Sequence, residues 1–358
     1  MIGVLGGGQL GRMLGLAGIP LGQKFTFLEP ADDPPAGAVG EVIGAPYDDP
    51  EGLDAIAASC DVVTYEFENV PVDSARRIAE QVPVLPGPQA LEVAQDRLAE
   101  KSLFTRMGIP TPRFAAASSR DEVEAALAEV GAPAIVKTRR QGYDGKGQAA
   151  VSEPVAADEL WSRLGEVPLL VEERIEFDRE VSILAVRGSS GATAFYPLIE
   201  NLHRDGILRV SFAPARGMDP GLQADAERYA TMLLESLDYV GVLAIEFFER
   251  NGRLFANEIA PRVHNSGHWT IEGAVCSQFE NHIRAVLGLP LGSTATTGES
   301  VMVNLIGSVP APADLLRLRG AHLHLYGKAP RPGRKLGHVT LVDADPAAVD
   351  TAMAFAGA

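Results

Sequence analysis

Met1-Ile2-Gly3-Val4-Leu5-Gly6-Gly7-Gly8-Gln9-Leu10-Gly11 opens the chain: an apolar run that stops at three glycines and passes into a helical pattern over 10–17. A short apolar strand, a Gly-rich turn and a helix form the first unit of a parallel, doubly wound sheet. The alternation continues, with strands expected over 24–28 and 62–67 and helices over 50–59 and 72–81. Val84-Leu85-Pro86-Gly87-Pro88 then breaks the pattern and marks a boundary near residue 90. The Gly6-x-Gly8-x-x-Gly11 spacing, with Glu29 ending the second strand, suits an anion held at a helix N-terminus, where N–H groups and the dipole favour negative charge. A glycine turn that binds nothing, and a dinucleotide site of a nicotinamide-dependent dehydrogenase, both stay open at this point.

The 358 residues suffice for two or three domains, and 46% hydrophobic content supplies real cores. Thirty-one Lys+Arg against 47 Asp+Glu leave a formal charge of −16. Such a surface repels nucleic acid and anionic membrane, so an anionic substrate would need a local basic pocket. Cys60 and Cys276 are too few for a Cys-rich zinc site or a disulfide framework, which points to a reducing cytoplasm. The N-terminus lacks the basic segment of a secretion signal, and no apolar run reaches membrane-spanning length. Beyond the boundary, a charged amphipathic helix is expected over 91–107 and another over 156–164. Short buried strands are expected at 134–137 and 169–173. Segments 181–187, 192–197, 242–248 and 254–259 read as a larger antiparallel sheet, with a long helix over 219–237.

Four stretches carry chemistry. Ala134-Ile135-Val136-Lys137 leads into Gly142-Tyr143-Asp144-Gly145-Lys146-Gly147-Gln148. A lysine ending a buried strand sets a point charge at a pocket edge, and a loop with three glycines can fold its amides over a polyphosphate. The spacing is not that of a Walker motif, and a solvated basic hairpin tip is the plain alternative. Glu246 and Glu258 flank Asn251-Gly252, a strong two-residue hairpin signal. Buried unpaired carboxylates are costly, so either an oxygen-liganded Mg²⁺ or Mn²⁺ or an ion pair with Arg253 or Arg262 accounts for them. A regular two-residue turn would set Glu246 opposite Asn257 and point Glu258 to the other face. A shared cation therefore predicts an odd-length loop or a bulge, with Glu258 diagonal to Glu246 on one face. Ala260-Pro261-Arg262-Val263-His264-Asn265-Ser266-Gly267-His268-Trp269 follows directly. There Arg262 can clamp an oxyanion and His264 can move a proton near neutral pH. Last, Arg331-Pro332-Gly333-Arg334-Lys335 reads as a phosphate loop or as a solvated charge run.

These strings, with Gly7-Gly8-Gln9-Leu10-Gly11-Arg12-Met13 and Thr64-Tyr65-Glu66-Phe67-Glu68-Asn69-Val70, resemble the ATP-grasp ligases. Within them the chain is similar to the 5-(carboxyamino)imidazole ribonucleotide synthases from its start to about residue 345. The resemblance implies a mixed α/β and α+β architecture. A doubly wound domain would span 1–90, an ATP-grasp clamp 91–290 with its lid at about 112–172, and a small C-terminal domain 291–358. It implies a cytoplasmic homodimer that carboxylates 5-aminoimidazole ribonucleotide with ATP, bicarbonate and Mg²⁺, without nucleic-acid or membrane partners. A formate-dependent glycinamide ribonucleotide transformylase would share the ATP half. By motif, Arg97, Lys137, Gly142, Tyr143, Asp144, Gly145, Lys146, Gly147 and Gln148 would meet the ATP phosphates. Glu172, Glu173, Arg174 and Ile175 would form the adenine hinge, and Glu180 would take the ribose hydroxyls. His203, Asn257 and Glu258 would complete the nucleotide site, with Glu246 and Glu258 holding the metal. The ribonucleotide would lie against Gly8, Gln9, Leu10 and Glu66. Tyr143, Asp144, Lys146, Arg262, His264 and Asn265 would surround its reacting end, and Arg331, Arg334 and Lys335 its phosphate. The charged Glu173-Arg174 pair departs from the family's hinge; because hinges contact adenine mainly through backbone, the departure bears on side-chain roles there and not on ATP itself.

Overall fold

A computed structural model describes residues 1–142, 147–152 and 157–357. Its first sheet is parallel, in the order β3 (Glu41–Ile43), β2 (Phe25–Leu28), β1 (Ile2–Leu5), β4 (Val62–Tyr65). Alternating side chains supply two cores: Ile2, Val4, Phe25 and Phe27 pack under helix Gln9–Gly18, whereas Leu5, Leu28, Val63 and Tyr65 pack under helix Pro50–Ser59. The doubly wound reading of the opening residues holds.

The second sheet is antiparallel, β5 (Phe114–Ala117), β8 (Leu169–Glu173), β6 (Ala134–Thr138), β7 (Gln148–Val151), backed by helices Arg120–Val130 and Ala157–Arg163. The third holds nine strands. β14 (Arg253–Ala260), β13 (Gly241–Arg250), β9 (Arg179–Arg187), β11 (Ile199–Arg204) and β12 (Ile207–Ala213) continue into β15 (Ser300–Ile306), β17 (Lys335–Val342) and β16 (Ala321–Leu325), with β10 (Thr193–Phe195) on β9. Helix Pro220–Ser236 covers one face with Leu222, Ala226, Tyr229, Leu233 and Leu234. The C-terminal strands therefore extend the large sheet instead of forming one of their own.

Two local expectations are revised. The helix expected over 91–107 is two helices, Pro88–Ala94 and Arg97–Arg106. Asp96 restarts the second by accepting the Leu98 N–H at 3.0 Å, and its carboxylate grips Arg139 at 3.1 and 2.6 Å. The β13–β14 hairpin keeps a two-residue turn, with Asn251 at φ +50° and Gly252 at φ +67°, as a type I′ turn demands. Its pairing is regular from Arg250↔Arg253 to Phe247↔Ala256 and then shifts, so that Glu246 faces Glu258 directly. Asn257 is the extra residue. The expected bulge is present; the odd-length loop and diagonal placement are not. Because a bulge resets the alternation, Ala256 and Ile259 both enter the core while Asn257 and Glu258 both line a cavity on the other face. No helix among the described residues is long and apolar enough to cross a membrane.

Candidate active site

A cavity of about 630 Å³ runs between the two antiparallel sheets to the start of helix Gln9–Gly18. At one end stands a buried charge cluster. Lys137, ending β6, donates to Glu172 Oε2 at 2.9 Å, and the fully buried Lys101 lies 3.4 Å from the same oxygen. Burial alone would raise the Glu172 pKa, but the two ammonium groups outweigh it and hold the carboxyl at about 2. Burial pulls the Lys101 pKa down, with Glu172 opposing. Arg97 bridges to Glu258 at 3.1 Å, and its other nitrogen reaches the Gly142 carbonyl at 3.4 Å. Phe177 and Phe248 stack with centroids 4.9 Å apart and line the wall, and His203 Nδ1 meets Glu180 at 2.7 Å. Burial lowers the His203 pKa, but the Glu180 hydrogen bond and nearby carboxylates more than reverse that.

Midway, Glu246 and Glu258 face each other. Burial, then the Glu258 charge, pushes the Glu246 carboxyl up to about 7. Asn257 Oδ1 is buried beside them without a partner among the described residues. Neither proposed ion pair forms: Glu258 takes Arg97, and Arg262 gives its Nε to Glu68 at 2.6 Å. Two facing carboxylates and an unpartnered amide oxygen are an oxygen donor set that fits a hard divalent cation. Among the described residues no cluster of three His, Cys, Asp or Glu forms a metal cage.

At the far end the cavity is lined by Gln9, Leu10, Arg262, His264, Asn265 and Lys335. His264 Nε2 lies 3.3 Å from Glu246 Oε1. Burial first, then the Arg262 and Lys335 charges, holds its pKa well below the usual value, so the ring is neutral and does not titrate near neutrality as expected from sequence. Both amide atoms of Asn265 are buried without partners among the described residues. A smaller space of about 360 Å³ adjoins, lined by Gly8, Gln9, Leu10, Tyr47, Glu66 and Lys328 among others.

The glycine motif is where the sequence misleads. Its helix-start N–H groups are already taken: Gly8 N and Gly11 N donate to the Glu66 carboxylate, and Gly7 N donates to Glu29 at 2.8 Å. A Cβ on Gly8 would fall 2.6 Å from Glu66 Oε1, so the glycines make room for protein carboxylates and not for a phosphate. Glu29 is bound the same way, and its Oε2 also accepts from the Tyr47 hydroxyl at 2.7 Å. The dehydrogenase reading loses both of its supports.

Of the residues expected in the site, Arg97, Lys137, Gly142, Gln148, Glu180, His203, Asn257 and Glu258 line the main cavity alongside those named above. Glu172 lies just behind Lys137, and Gly147 caps the turn into β7, its N-terminal neighbours lying outside the described residues. Tyr143, Asp144, Gly145 and Lys146 fall there. Glu173 pairs outward with Arg113 at 2.9 Å, Arg174 is exposed, and Ile175 is buried; none of the three lines this cavity. Lys335 reaches the cavity, whereas Arg331 is exposed and Arg334 binds the Ala329 carbonyl at 3.1 Å. Sequence reasoning missed Glu100, Lys101 and Lys328. The first two share one face of helix Arg97–Arg106 with Arg97, at i+3 and i+4, a spacing that could have revealed them.

Comparison with known proteins decides what this arrangement belongs to. Residues 1–95 match the ribonucleotide synthetase preATP-grasp domain, 102–279 the ATP-grasp domain, and 300–352 the phosphoribosylaminoimidazole carboxylase C-terminal domain. The N5-carboxyaminoimidazole ribonucleotide synthase of Pseudomonas aeruginosa is 54% identical over 99% of this chain and 97% of its own. The chain belongs to the N5-carboxyaminoimidazole ribonucleotide synthase family. The family's synthetase from Thermus thermophilus has a crystal structure that superposes with TM-score 0.94 at 56% identity, covering 99% of this chain and 97% of that one. Another family member, from Aspergillus clavatus, was crystallised with ADP and 5-aminoimidazole ribonucleotide; it matches at TM-score 0.88 and 31% identity over 98% of this chain and 96% of that one.

Proposed function

We propose that this chain carboxylates 5-aminoimidazole ribonucleotide with bicarbonate, converting ATP to ADP and phosphate. The observation that carries the reading is one continuous cavity with a lysine–glutamate cluster at one end, facing carboxylates midway, and Arg262, His264 and Lys335 at the other. Arg97 and Lys137 would meet the ATP phosphates, and the Phe177–Phe248 stack offers an apolar surface for the base. Glu246 and Glu258, with the Asn257 carbonyl beside them, would hold Mg²⁺. When bound, that ion neutralises charge on the phosphoryl oxygens. Bicarbonate would attack the γ-phosphorus and release ADP; the resulting carboxyphosphate, or CO₂ from it, would meet the ribonucleotide amine. Arg262, already fixed by Glu68, suits the developing carboxylate oxygens.

Gly142 and Gln148 line the cavity between β6 and β7, and the glycine-rich segment they bracket in sequence would close over the nucleotide, with the four-stranded sheet as a lid over roughly 112–172. The division at 90 and 290, a homodimeric state and a cytoplasmic location belong to the same proposal; both cysteines being free and buried agrees with a reducing compartment. The test is ADP release with each substrate omitted in turn. It should require bicarbonate and the ribonucleotide together, and formate should not replace bicarbonate. Equal ADP release without the ribonucleotide would overturn the proposal.

A further inference from the structure

Behind His264 a hydrogen-bond chain leaves the cavity and crosses the large sheet. His264 Nδ1 meets Ser266 Oγ at 2.9 Å, Ser266 Oγ meets Ser182 Oγ at 2.9 Å, and Asn201 Nδ2 reaches Ser182 Oγ at 2.8 Å. Ser211 Oγ closes the chain on Asn201 Oδ1 at 2.8 Å. Ser182, Asn201 and Ser211 lie on β9, β11 and β12, Asn201 directly opposite Ser211, and all three are buried, as is Ser266.

The direction of every bond follows from one backbone group. Ser266 N–H donates to His264 Nδ1 at 3.3 Å, capping the short helical turn Asn265–Gly267, and a backbone N–H can only donate. Nδ1 is therefore an acceptor. The Ser266 hydroxyl must then spend its single proton on Nδ1 and accept from Ser182. Ser182 must donate to Ser266 and accept from the Asn201 amide nitrogen, which leaves Asn201 Oδ1 to receive Ser211. No other assignment satisfies all five contacts.

We propose that Ser266, Ser182 and Asn201 are positioning residues that lock His264 in the tautomer protonated at Nε2, so that it meets the reacting end of the cavity as a hydrogen-bond donor and not as a base. Nε2 faces Glu246 Oε1 and the cavity, where its proton would serve a bicarbonate or carboxylate oxygen. That last role rests on the function proposed above; the tautomer does not.

The test is a long-range ¹H–¹⁵N correlation on the full chain labelled at histidine, with His264 assigned by its loss in His264→Gln. The expected pattern is Nε2 protonated and Nδ1 bare; an Nδ1–H pattern overturns the proposal. Asn201→Asp places an acceptor where Asn201 donates, which turns the Ser182 hydroxyl away from Ser266. The Nδ1–H form should gain population and kcat should fall on the order of 10- to 100-fold, since a misplaced imidazole proton is costly to catalysis, while the ATP KM moves by less than about twofold. Ser182→Ala breaks the chain without new charge and should shift both readouts the same way by less. If these variants keep the wild-type histidine spectrum and kcat, the chain has no positioning role. A wild-type spectrum as expected in a protein that does not carboxylate the ribonucleotide would uphold the lock and overturn the function.

Discussion

Replacing Lys101 by Met tests the buried charge cluster at one end of the cavity. Its ammonium is fully buried, 3.4 Å from Glu172 Oε2 and 3.2 Å from both Thr111 Oγ1 and the Ala256 carbonyl. The fall of the Glu172 pKa from 4.5 to about 2 corresponds to about 3 kcal/mol of folding stability at neutral pH. A carboxyl whose folded pKa is depressed stabilises above its unfolded value and loses that contribution as pH falls through the folded one. The term is thus complete above about pH 5 and gone near pH 2. Lys137 stays 2.9 Å from the same oxygen after the substitution, and Thr111 still donates to Ala256 O at 2.8 Å. The variant should therefore lose about 2 kcal/mol, less than the roughly 3–5 kcal/mol of breaking a buried pair outright. Chemical denaturation of the apo protein at pH 7 and pH 3, for Lys101→Met, Glu172→Gln and the double variant, measures it. The loss should shrink at the lower pH, and the double variant should lose less than the two singles combined. Strictly additive losses, or an equal loss at both pH values, would refute the coupling.

Lys335→Ala should raise the ribonucleotide KM roughly 10- to 150-fold, the cost of one charge-assisted contact, with the ATP KM unmoved; if both rise together the residue supports the fold only. Glu246→Gln relieves two facing carboxylates, so the apo melting temperature should hold or rise while the added stabilisation by Mg²⁺ with ATP disappears; retained Mg²⁺-dependent stabilisation would move the metal elsewhere. ATP with Mg²⁺ should raise the melting temperature of the native chain and NAD should not, as the amides of the glycine motif are already filled.

Periodicity made the parallel sheet, strands β6 and β8 and the β13–β14 hairpin legible, because each is a short apolar run bounded by glycine, proline or Asn-Gly. It did not reveal β11 and β12, whose buried Asn201 and Ser211 sit where apolar side chains are expected and are satisfied by each other and by Ser182 on β9. The helix break at Asp96 was hidden for a similar reason: its carboxylate reads as a solvated charge until Arg139, just beyond β6, is seen across it. Glu246 and Glu258 stand out once one asks what could justify burying two carboxylates, and that question correctly demanded a bulge. The glycine motif misled because the same small residues that admit a phosphate also admit a glutamate from a distant strand. Glu66 lies 58 residues from Gly8, a separation that no local pattern records.

The β12–β15 ladder has a consequence for how this enzyme can be divided. Val210 pairs with Val303 and Phe212 with Val301, beneath an apolar layer that includes Leu315, Val339 and Leu341. A chain cut between helix Gln278–Val286 and β15 would keep every side chain of the lysine cluster and both facing glutamates, yet it would bare the β12 edge over Val210–Ala213. An uncovered apolar strand edge recruits other strands, so the fragment should self-associate through that edge and precipitate. The C-terminal strands are thus not a module that can be exchanged between enzymes or shed in a smaller catalyst. They seal the large sheet, and Lys335 rides on the seal.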